Sequence, residues 1–384
     1  MNKRNITVGI ITMHRVLNFG SVLQTYALQQ TVSNLGYSSE IIDYKFPNSE
    51  HFMYLEKSDE QAIILPLKSR IIDAIKRRLC ASKPSDEDIR RGKFLQFISD
   101  HLKISKDSYR NRYQIDKQMP LYDVYLTGSD QVWNPTCGGL IDKLNPCYYL
   151  AFADHNKYKK IAYASSIGSY RFNEDEKILV KKWLENYDYL STREQAGKEH
   201  LESFINKEIK VVLDPTLLLK KEEWLNVAES VGKMKNEKYV LVYYIDEIAE
   251  CVEYARRIAD KYGWKVAMMS NTAKKFPGVD INIPFCGPAQ FLWLFANATY
   301  IVTNSFHGTA FAVNFNKDFV SVIKRNSPQR AQTLLKNVGL YERLLTNIDE
   351  LDNIPLNVDF KEANIKLDML RNDSISYLLN SIEH

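Results

Sequence analysis

The sequence lacks the residue patterns that usually form disulfides or bind metal ions. Its five cysteines include no CxxC pair, and an odd number of cysteines fits reduced thiols in a cytosol. It contains no HExxH motif, no Cys/His cluster and no paired-carboxylate spacing, so we expect no catalytic metal. It also contains no GxSxG motif, which excludes the common serine hydrolases.

Long hydrophobic runs are also missing. No stretch approaches the ~18–20 apolar residues of a membrane-spanning helix. The apolar run after Arg4 has only about six residues, which is too short for a signal peptide. The formal net charge of +4 is too small to indicate nucleic-acid binding. We therefore expect a cytoplasmic protein without a nucleic-acid partner, one that can still lie against the inner face of the membrane.

The composition and the order of elements predict two α/β domains. The 384 residues are 45% hydrophobic and 26% charged, enough apolar material for a sizeable core. At about 100–200 residues per domain, two domains are expected. Predicted strands alternate with predicted helices in both halves, which is typical of a parallel doubly wound sheet. We assign residues 1–218 to a first domain, 219–345 to a second domain, and 346–384 to a helical tail that packs back on the first.

Residues 46–120 interrupt this alternation and are predicted to be an insert in the first domain. Between Ile63 and Leu79 the apolar residues fall largely on one helical face, and the Lys and Arg residues fall mostly elsewhere. One interpretation is a helix that faces the core and has a solvated basic side. The other is a basic amphipathic helix that meets a membrane surface or an anionic acceptor.

Polar residues that directly follow predicted strands are candidates for a site, because ligands of doubly wound sheets bind outside the carboxyl ends of the strands. Asn18–Ser21 follows the first strand, where Gly20 permits close backbone approach and a helix start attracts anions. An ordinary helix cap explains the same residues equally well. Thr127–Pro135 follows a later strand and combines hydroxyl, carboxylate and amide groups with an indole. That combination suits a sugar, which needs hydrogen-bond partners and an aromatic face.

A third candidate segment carries a cation. Arg193 follows a predicted strand and opens a helix, so it can grip a phosphate or a carboxylate; a salt bridge to Glu194 is the alternative. Asp214 ends the next strand, and capping a turn is its simpler role.

The fourth candidate segment carries a histidine. His307 comes after the predicted strand Tyr300–Thr303, at a helix start, and Gly308 leaves space where a side chain would crowd a ligand. A lone histidine is often structural, but this position in an α/β sheet favours a functional role.

Five segments, in this order, resemble the motifs of the polysaccharide pyruvyl transferase family. They are Asn18–Leu28, Gly128–Asn134, Ser191–Glu194, Asp214–Thr216 and Ser305–Gly308. The resemblance implies two Rossmann-like doubly wound domains with a cleft between them, as in GT-B glycosyltransferases. It also implies transfer of the enolpyruvyl group of phosphoenolpyruvate onto two hydroxyls of a sugar, which forms a pyruvate ketal and releases phosphate. Such enzymes act on capsule, exopolysaccharide or cell-wall precursors, some of them linked to a lipid diphosphate carrier.

This chemistry requires an acid, a base, and cations that hold the phosphate and the carboxylate of the donor. With the resemblance it assigns His307 as the acid and Asp130 as the base or sugar anchor. No cofactor is implied, because phosphoenolpyruvate is the donor substrate. The residues expected to bind the donor, in the second domain and at Arg193, are Arg193, Ser305, Phe306, Gly308, Lys324, Arg325 and Arg330. The residues expected to bind the acceptor, in the first domain, are Asn18, Gly20, Ser21, Ser129, Gln131, Trp133 and Asn134.

One position departs from the family pattern. Many members carry an arginine where this chain has Ser305, and that arginine is expected to help hold the donor. We expect Lys324, Arg325 or Arg330, which follow the next predicted strand, to supply the missing charge. Two anionic groups on one small donor would be costly to hold with Arg193 alone. Arg330 also opens a predicted helix, whose dipole favours anions.

Two other functions stay open at this point. A nucleotide-sugar glycosyltransferase shares the two-domain architecture and would bind a nucleoside diphosphate in the cleft. A non-catalytic scaffold for capsule assembly would depend on the basic stretch of the insert and not on His307.

Overall fold

The computed structural model describes residues 6–45, 84–138, 144–245, 248–322 and 329–384. Within these residues each half of the chain forms a parallel sheet. The strands of the first half are β1 (Thr7–Ile11), β2 (Ser38–Tyr44), β3 (Ile104–Tyr109), β4 (Val124–Thr127), β5 (Lys159–Ala162), β6 (Leu190–Thr192) and β7 (Ile209–Val211). Those of the second half are β8 (Tyr239–Tyr243), β9 (Lys265–Ser270), β10 (Ile281–Pro284), β11 (Tyr300–Thr303), β12 (Phe319–Val322) and β13 (Leu344–Leu345). The predicted fold class, α/β with two Rossmann-like units, is confirmed.

Helices connect the strands in both halves. In the first half they are α1 (Phe19–Asn34), α2 (Asp86–His101), α3 (Arg112–Lys117), α4 (Pro135–Gly138), α5 (Glu174–Leu184) and α6 (Gln195–Glu202). In the second they are α7 (Lys221–Leu225), α8 (Ile248–Tyr262), α9 (Pro288–Asn297), α10 (Phe306–Asn314), α11 (Gln329–Val338) and α12 (Lys361–Glu383). N-cap residues determine where several of these helices begin. At α2, for example, Ser85 and Asp88 form a reciprocal capping box.

The first sheet reverses its strand order next to its central strand. The order is β3-β2-β1-β4-β5, and two backbone bridges, Ile161 to Tyr189 and Ser165 to Thr192, attach the β6–β7 pair beyond β5. Strands β1, β4 and β5 are almost fully buried, as expected for parallel strands that helices cover on both faces. The order reverses between β1 and β4. Such a reversal opens a crevice at the carboxyl ends of the strands, where ligands bind.

The second sheet follows the same plan. Its order is β10-β9-β8-β11-β12-β13, so the reversal falls between β8 and β11. His307 comes four residues after the end of β11, and the crevice of this sheet therefore opens beside it.

Part of the segment predicted to be an insert belongs to the first sheet. Strand β3 pairs with β2 at the edge of that sheet, and α2 precedes it. The hydrophobic pattern conceals β3 because Lys106, Asp107 and Ser108 at its centre are exposed polar residues. The basic stretch at 63–79 lies outside the described residues.

The two halves share one hydrophobic core. Phe19, the first residue of α1, stacks on Phe291 of α9 with ring centroids 4.8 Å apart. It also meets Tyr243, at the end of β8, edge-on. Aromatic pairs of this kind stabilise packing beyond the area they bury. This core brings the N-terminus of α1 against the second half.

Helix α12 contacts both halves. The Arg371 guanidinium donates hydrogen bonds to the carbonyl of Leu217 and to the amide oxygen of Asn314. Further along, the Tyr377 hydroxyl donates to the carbonyl of Ala162 at the end of β5. None of the described helices is long and apolar enough to cross a bilayer.

Candidate active site

The crevices of the two sheets meet at His307 and Gly20. His307 lies at the start of α10, and its Nδ1 atom sits so close to Gly20 that a β carbon there would lie 2.0 Å away. Next to Gly20 on α1, the Ser21 hydroxyl donates a 2.6 Å hydrogen bond to Oδ2 of Asp130. Asp130 follows β4, so this bond spans the strand reversal of the first sheet. The structure thus brings a histidine from one sheet and a carboxylate from the other into one place.

Arg193 lies at the centre of a buried charge cluster. Its Nε atom is 2.8 Å from Oε1 of Glu194, and its Nη1 atom is 2.8 Å from Oδ2 of Asp214. Its Nη2 atom is 3.8 Å from Oδ1 of Asp130. These carboxylates raise the pKa of the guanidinium, although burial acts in the opposite direction. The predicted alternative for Arg193, a salt bridge to Glu194, is therefore present.

Asp214 serves both as a turn cap and as a charge partner. Its Oδ1 atom accepts hydrogen bonds from the backbone N–H and the hydroxyl of Thr216, as expected for a cap. Its Oδ2 atom faces Arg193 and lies 3.8 Å from Nε2 of His307. Burial raises the pKa of the Asp214 carboxyl, but His307 and Arg193 together lower it far more. Asp214 is therefore a carboxylate, and it connects Arg193 to His307.

The pKa of Asp130 responds to the same neighbours. Burial raises it, but the charges of Arg193 and His307 lower it more, and the hydrogen bond from Ser21 adds to that effect. The net result is a buried carboxylate whose pKa lies below its ordinary value.

Three buried polar atoms of this cluster have no hydrogen-bond partner among the described residues. They are Nη2 of Arg193, Oε2 of Glu194 and Nε2 of His307. Buried polar atoms are almost always paired, so three unpaired atoms close together point to a functional role. These three unpaired atoms lie beside the strand reversals of both sheets, and we take this place as the candidate active site.

Arg330 lies beside this cluster and faces the same aromatic ring as Arg193. The guanidinium carbon of Arg193 is 5.2 Å from the centroid of Phe306, and that of Arg330 is 5.8 Å from it. Burial lowers the pKa of Arg330, and the positive charge of Arg193 lowers it further. Arg330 forms no ion pair with the described part of the chain. It is thus a half-buried cation whose charge Asp130 and Glu194 only partly offset.

Most residues predicted to bind the acceptor are used in the packing of the first half. Asn18 caps α1, the helix-cap alternative for this residue. Ser129 is fully buried and donates to the carbonyl of Ala164. The side chains of Gln131 and Asn134 bond each other. In each case the polar group already has a hydrogen-bond partner within the first half.

The prediction that Trp133 stacks on a sugar is corrected by the structure. Its indole is 1% exposed and stacks on Tyr149, and its N–H donates to the carbonyl of Tyr148. A ring with both its face and its N–H engaged inside the core has no surface left for a ligand.

Two predicted donor-binding residues also have packing roles. Ser305 is the buried N-cap of α10, where its hydroxyl faces the N–H of Gly308. A β carbon on Gly308 would lie 2.1 Å from the Thr303 hydroxyl, so this glycine makes room for the preceding strand and not for a ligand. Likewise, Gly20 makes room for His307. Lys324 and Arg325 lie outside the described residues.

Asp214 and Glu194 belong to the site, although from the sequence Asp214 was expected only to cap a turn and Glu194 only to pair with Arg193. Both follow strands of the β6–β7 pair, so their positions at the carboxyl ends of strands were the available signal. Nothing in the sequence showed that three carboxylates would converge on one arginine. In the described residues no group of three His, Cys, Asp or Glu side chains is arranged to hold a metal ion.

Comparison with solved structures shows a similar fold. The UDP-GlcNAc 2-epimerase from Neisseria meningitidis, a structure with bound UDP-GlcNAc, has a TM-score of 0.51 and 11% identity, covering 98% of each chain. The UDP-N-acetylglucosamine 2-epimerase from Rickettsia bellii has a TM-score of 0.51 and 9% identity, covering 98% of this chain and 96% of that one. At such identities the likeness concerns the two-domain GT-B-like fold alone. No curated protein sequence matched significantly.

A family profile also matches this chain. The profile described as polysaccharide pyruvyl transferase matches residues 18–326. The match includes Asp130, Arg193, Asp214 and His307, the four residues that the structure brings together. The chain therefore belongs to the polysaccharide pyruvyl transferase family.

Proposed function

We propose that the protein transfers the enolpyruvyl group of phosphoenolpyruvate onto two hydroxyls of one sugar in a polysaccharide precursor. The products are a cyclic pyruvate ketal and inorganic phosphate. The observation that carries the proposal is a pair of guanidiniums, the buried Arg193 and the half-buried Arg330, that both face the ring of Phe306 next to His307. Two cations beside a histidine with an unpaired Nε2 suit a small donor with a phosphate, a carboxylate and a carbon to be protonated.

Of the two guanidiniums, Arg330 is the better candidate for holding the donor. Glu194 and Asp214 already neutralise Arg193, whereas Arg330 has no such ion pair in the described part of the chain. Arg330 also lies in the first turn of α11, where the helix dipole attracts anions. We assign to it the charge that the family pattern places at Ser305.

The proposed reaction begins with proton transfer from the imidazolium of His307 to the methylene carbon of the donor. The adjacent carbon becomes oxocarbenium-like, and a first sugar hydroxyl attacks it and loses its proton to a base. We assign that role to Asp130, a buried carboxylate next to Arg193 and His307. The C–O bond to phosphate then breaks, and phosphate leaves with the electron pair. The second sugar hydroxyl attacks the resulting cation and closes the ring, and its proton returns to the His307 imidazole. The sugar thereby gains the mass of one pyruvic acid minus one water.

The role of His307 in this scheme depends on Asp214. A carboxylate 3.8 Å from Nε2 stabilises the positive charge that the imidazolium carries before it donates its proton. A histidine suits this task because it exchanges protons near neutral pH.

Mass spectrometry of galactose- and mannose-bearing acceptors, incubated with the enzyme and phosphoenolpyruvate, tests the proposal. We expect the gain of one pyruvic acid minus one water and an equal amount of free phosphate. His307→Ala should reduce both by at least about 10²-fold, the usual contribution of a general acid. His155→Ala, at an exposed position far from the site, is the matched control. Undiminished phosphate release in His307→Ala would show that the acid is another group.

A nucleotide-sugar transferase is the outcome that would replace this proposal. It requires a UDP-sugar donor, and the structural neighbours named above were solved with or act on such nucleotides. Calorimetric titration with UDP-GlcNAc and with phosphoenolpyruvate separates the two. Saturable binding of UDP-GlcNAc without binding of phosphoenolpyruvate would overturn the pyruvyl assignment.

We further propose that the acceptor is carried on a lipid diphosphate at the inner face of the membrane. The supporting feature is the basic amphipathic sequence at 63–79. Co-sedimentation with anionic liposomes should be lost at high salt and in a variant with Lys76, Arg77 and Arg78 changed to Glu. Binding that is insensitive to both changes would argue against electrostatic docking.

A further inference from the structure

A cavity of about 820 Å³ opens directly beside the charge cluster. Its inner end is formed by Arg193, Phe306 and Arg330. From there it extends between strand β7 of the first half and helices α11 and α12 of the second half and the tail. All of its lining residues belong to the described part of the chain. This volume falls within the range of small-molecule sites but is far larger than a three-carbon acid phosphate requires.

The helices present regular polar stripes to this cavity. Helix α11 contributes Arg330, Thr333 and Asn337, which recur at helical spacing. Helix α12 contributes Asp373, Ser376, Tyr377 and Asn380 in the same manner. Both stripes line the same cavity, and Arg330 belongs to the stripe of α11.

Several polar side chains of these stripes have no internal role. Those of Asn337, Asp373, Ser376 and Asn380 form no hydrogen bond or ion pair with the residues that the structure describes. Together they offer amide, carboxylate and hydroxyl groups, which match the donors and acceptors of a sugar ring.

Aromatic residues complete the lining. Tyr189 and Tyr377 are both half-buried at the cavity wall. The Tyr377 hydroxyl is held by the carbonyl of Ala162, which fixes the orientation of its ring. An oriented aromatic ring next to free polar groups can bind a sugar. Trp133 was expected to provide such a ring, but it is buried.

The cavity offers a surface for the acceptor sugar that the loop Thr127–Pro135 does not offer. The predicted acceptor residues Ser129, Trp133 and Asn134 are buried and paired with one another or with their neighbours. A sugar that reacts next to Arg193 and Arg330 therefore needs another surface within reach of them. The cavity shares these two arginines and provides that surface.

We propose that this cavity is the acceptor site and that it binds a hexopyranoside of the precursor. The reacting pair of hydroxyls lies at the Arg193 and Arg330 end, and the rest of the glycan lies between the stripes of α11 and α12. This assignment rests on the proposed function for the reaction, but the sugar-binding property can be tested without it.

The test is to fill the cavity from the exposed stripe of α12. Ser376→Trp places an indole in the cavity, and Asn372→Trp places one on the same helix outside it. With an acceptor that the wild type pyruvylates, Ser376→Trp should raise the KM for acceptor at least tenfold and leave the KM for phosphoenolpyruvate within about twofold. Asn372→Trp should change neither. The double variant Asn337→Ala/Asn380→Ala removes hydrogen-bonding groups without adding bulk and should raise the same KM.

A binding experiment separates this site from the reaction. Saturation-transfer NMR with p-nitrophenyl β-galactopyranoside and p-nitrophenyl α-mannopyranoside requires no turnover. At least one of them should bind the wild type and Asn372→Trp but not Ser376→Trp. If that pattern appears without pyruvyl transfer, the site stands and the proposed reaction fails. If transfer occurs with an unchanged acceptor KM in Ser376→Trp, the reaction stands and the site is wrong. If neither glycoside binds the wild type, or if both bind Ser376→Trp as well, the acceptor assignment is overturned.

Discussion

The imidazole of His307 packs directly against Gly20, so a glycine of the first half positions the histidine of the second half. A β carbon at Gly20 would lie 2.0 Å from Nδ1 of His307 and 2.2 Å from its Cε1. Both the shared core at Phe19 and this contact fix α1 against α10. The position of His307 in the site is therefore set by contacts between the halves, whereas Asp130, Arg193 and Asp214 are held by contacts within the first half.

Gly20→Ala should displace the imidazole while leaving the fold intact. We expect kcat to fall about 10²-fold, the effect of misplacing a catalytic group by roughly an ångström. The KM for phosphoenolpyruvate should change little, because Arg330 is untouched. Steady-state kinetics checks this. Gly92→Ala, where a β carbon meets nothing within 4 Å, is the control and should be neutral or stabilising. Equal kinetics for Gly20→Ala and the wild type would mean that His307 does not need this position.

Arg330→Ala should weaken donor binding selectively. Loss of a charge-assisted contact costs about 1.5–3 kcal/mol, so the KM for phosphoenolpyruvate should rise roughly 10- to 100-fold. Arg330→Lys should recover only part of the loss, because an ammonium lacks the planar fork that faces Phe306. Lys336→Ala, an exposed position on the same helix, is the matched control. An unchanged donor KM in Arg330→Ala would refute the compensation for Ser305.

Asp214→Asn should impair the acid and the cluster together. Without the carboxylate 3.8 Å from Nε2, the imidazolium of His307 is less stabilised. We expect kcat to fall at least about tenfold at neutral pH, because the acid loses the carboxylate that faces it. The free energy of unfolding should drop by about 2 kcal/mol, since Glu194 still pairs with Arg193. An Asp100→Asn control, at an exposed position, should shift neither quantity. A purely structural role for Asp214 would lower stability without lowering kcat.

Acid should lower the stability of the fold in part through Asp43, a buried carboxylate in strand β2 of the first sheet. Burial raises its pKa, but hydrogen bonds from His14 and Arg15 lower the pKa well below the ordinary value. A carboxyl whose folded pKa is lowered stabilises the fold above its unfolded pKa of about 3.9 and loses that contribution as the pH falls below it. Urea unfolding between pH 5 and about pH 3 should therefore show a shallower loss of stability in Asp43→Asn than in the wild type. Parallel curves would exclude this carboxylate as a source of acid sensitivity.

Trp133→Ala should behave as a core deletion. Removing a buried indole costs about 3–5 kcal/mol of unfolding free energy. The milder Trp133→Phe should remain folded and keep the acceptor KM of the wild type, which steady-state kinetics and urea unfolding can check together. A large rise in acceptor KM in Trp133→Phe, with unchanged stability, would instead restore the predicted sugar contact.

Much of the fold could be predicted from local pattern. The strand predicted at Tyr300–Thr303 is a short apolar run, and the structure has it with those bounds. Strand β3 could not be recognised in this way, because an edge strand with exposed Lys106 and Asp107 carries no apolar run.

By itself, the sequence determined which chemical groups stand at the carboxyl ends of the strands, and so placed Asp130, Arg193 and His307 among the candidates. That inference needs only local order and the geometry of parallel sheets. Only the tertiary structure decided which of these groups are free and which are engaged. Trp133 became core and Arg193 became paired because their partners, Tyr148 and Asp214, approach through folding contacts that neither spacing nor composition encodes.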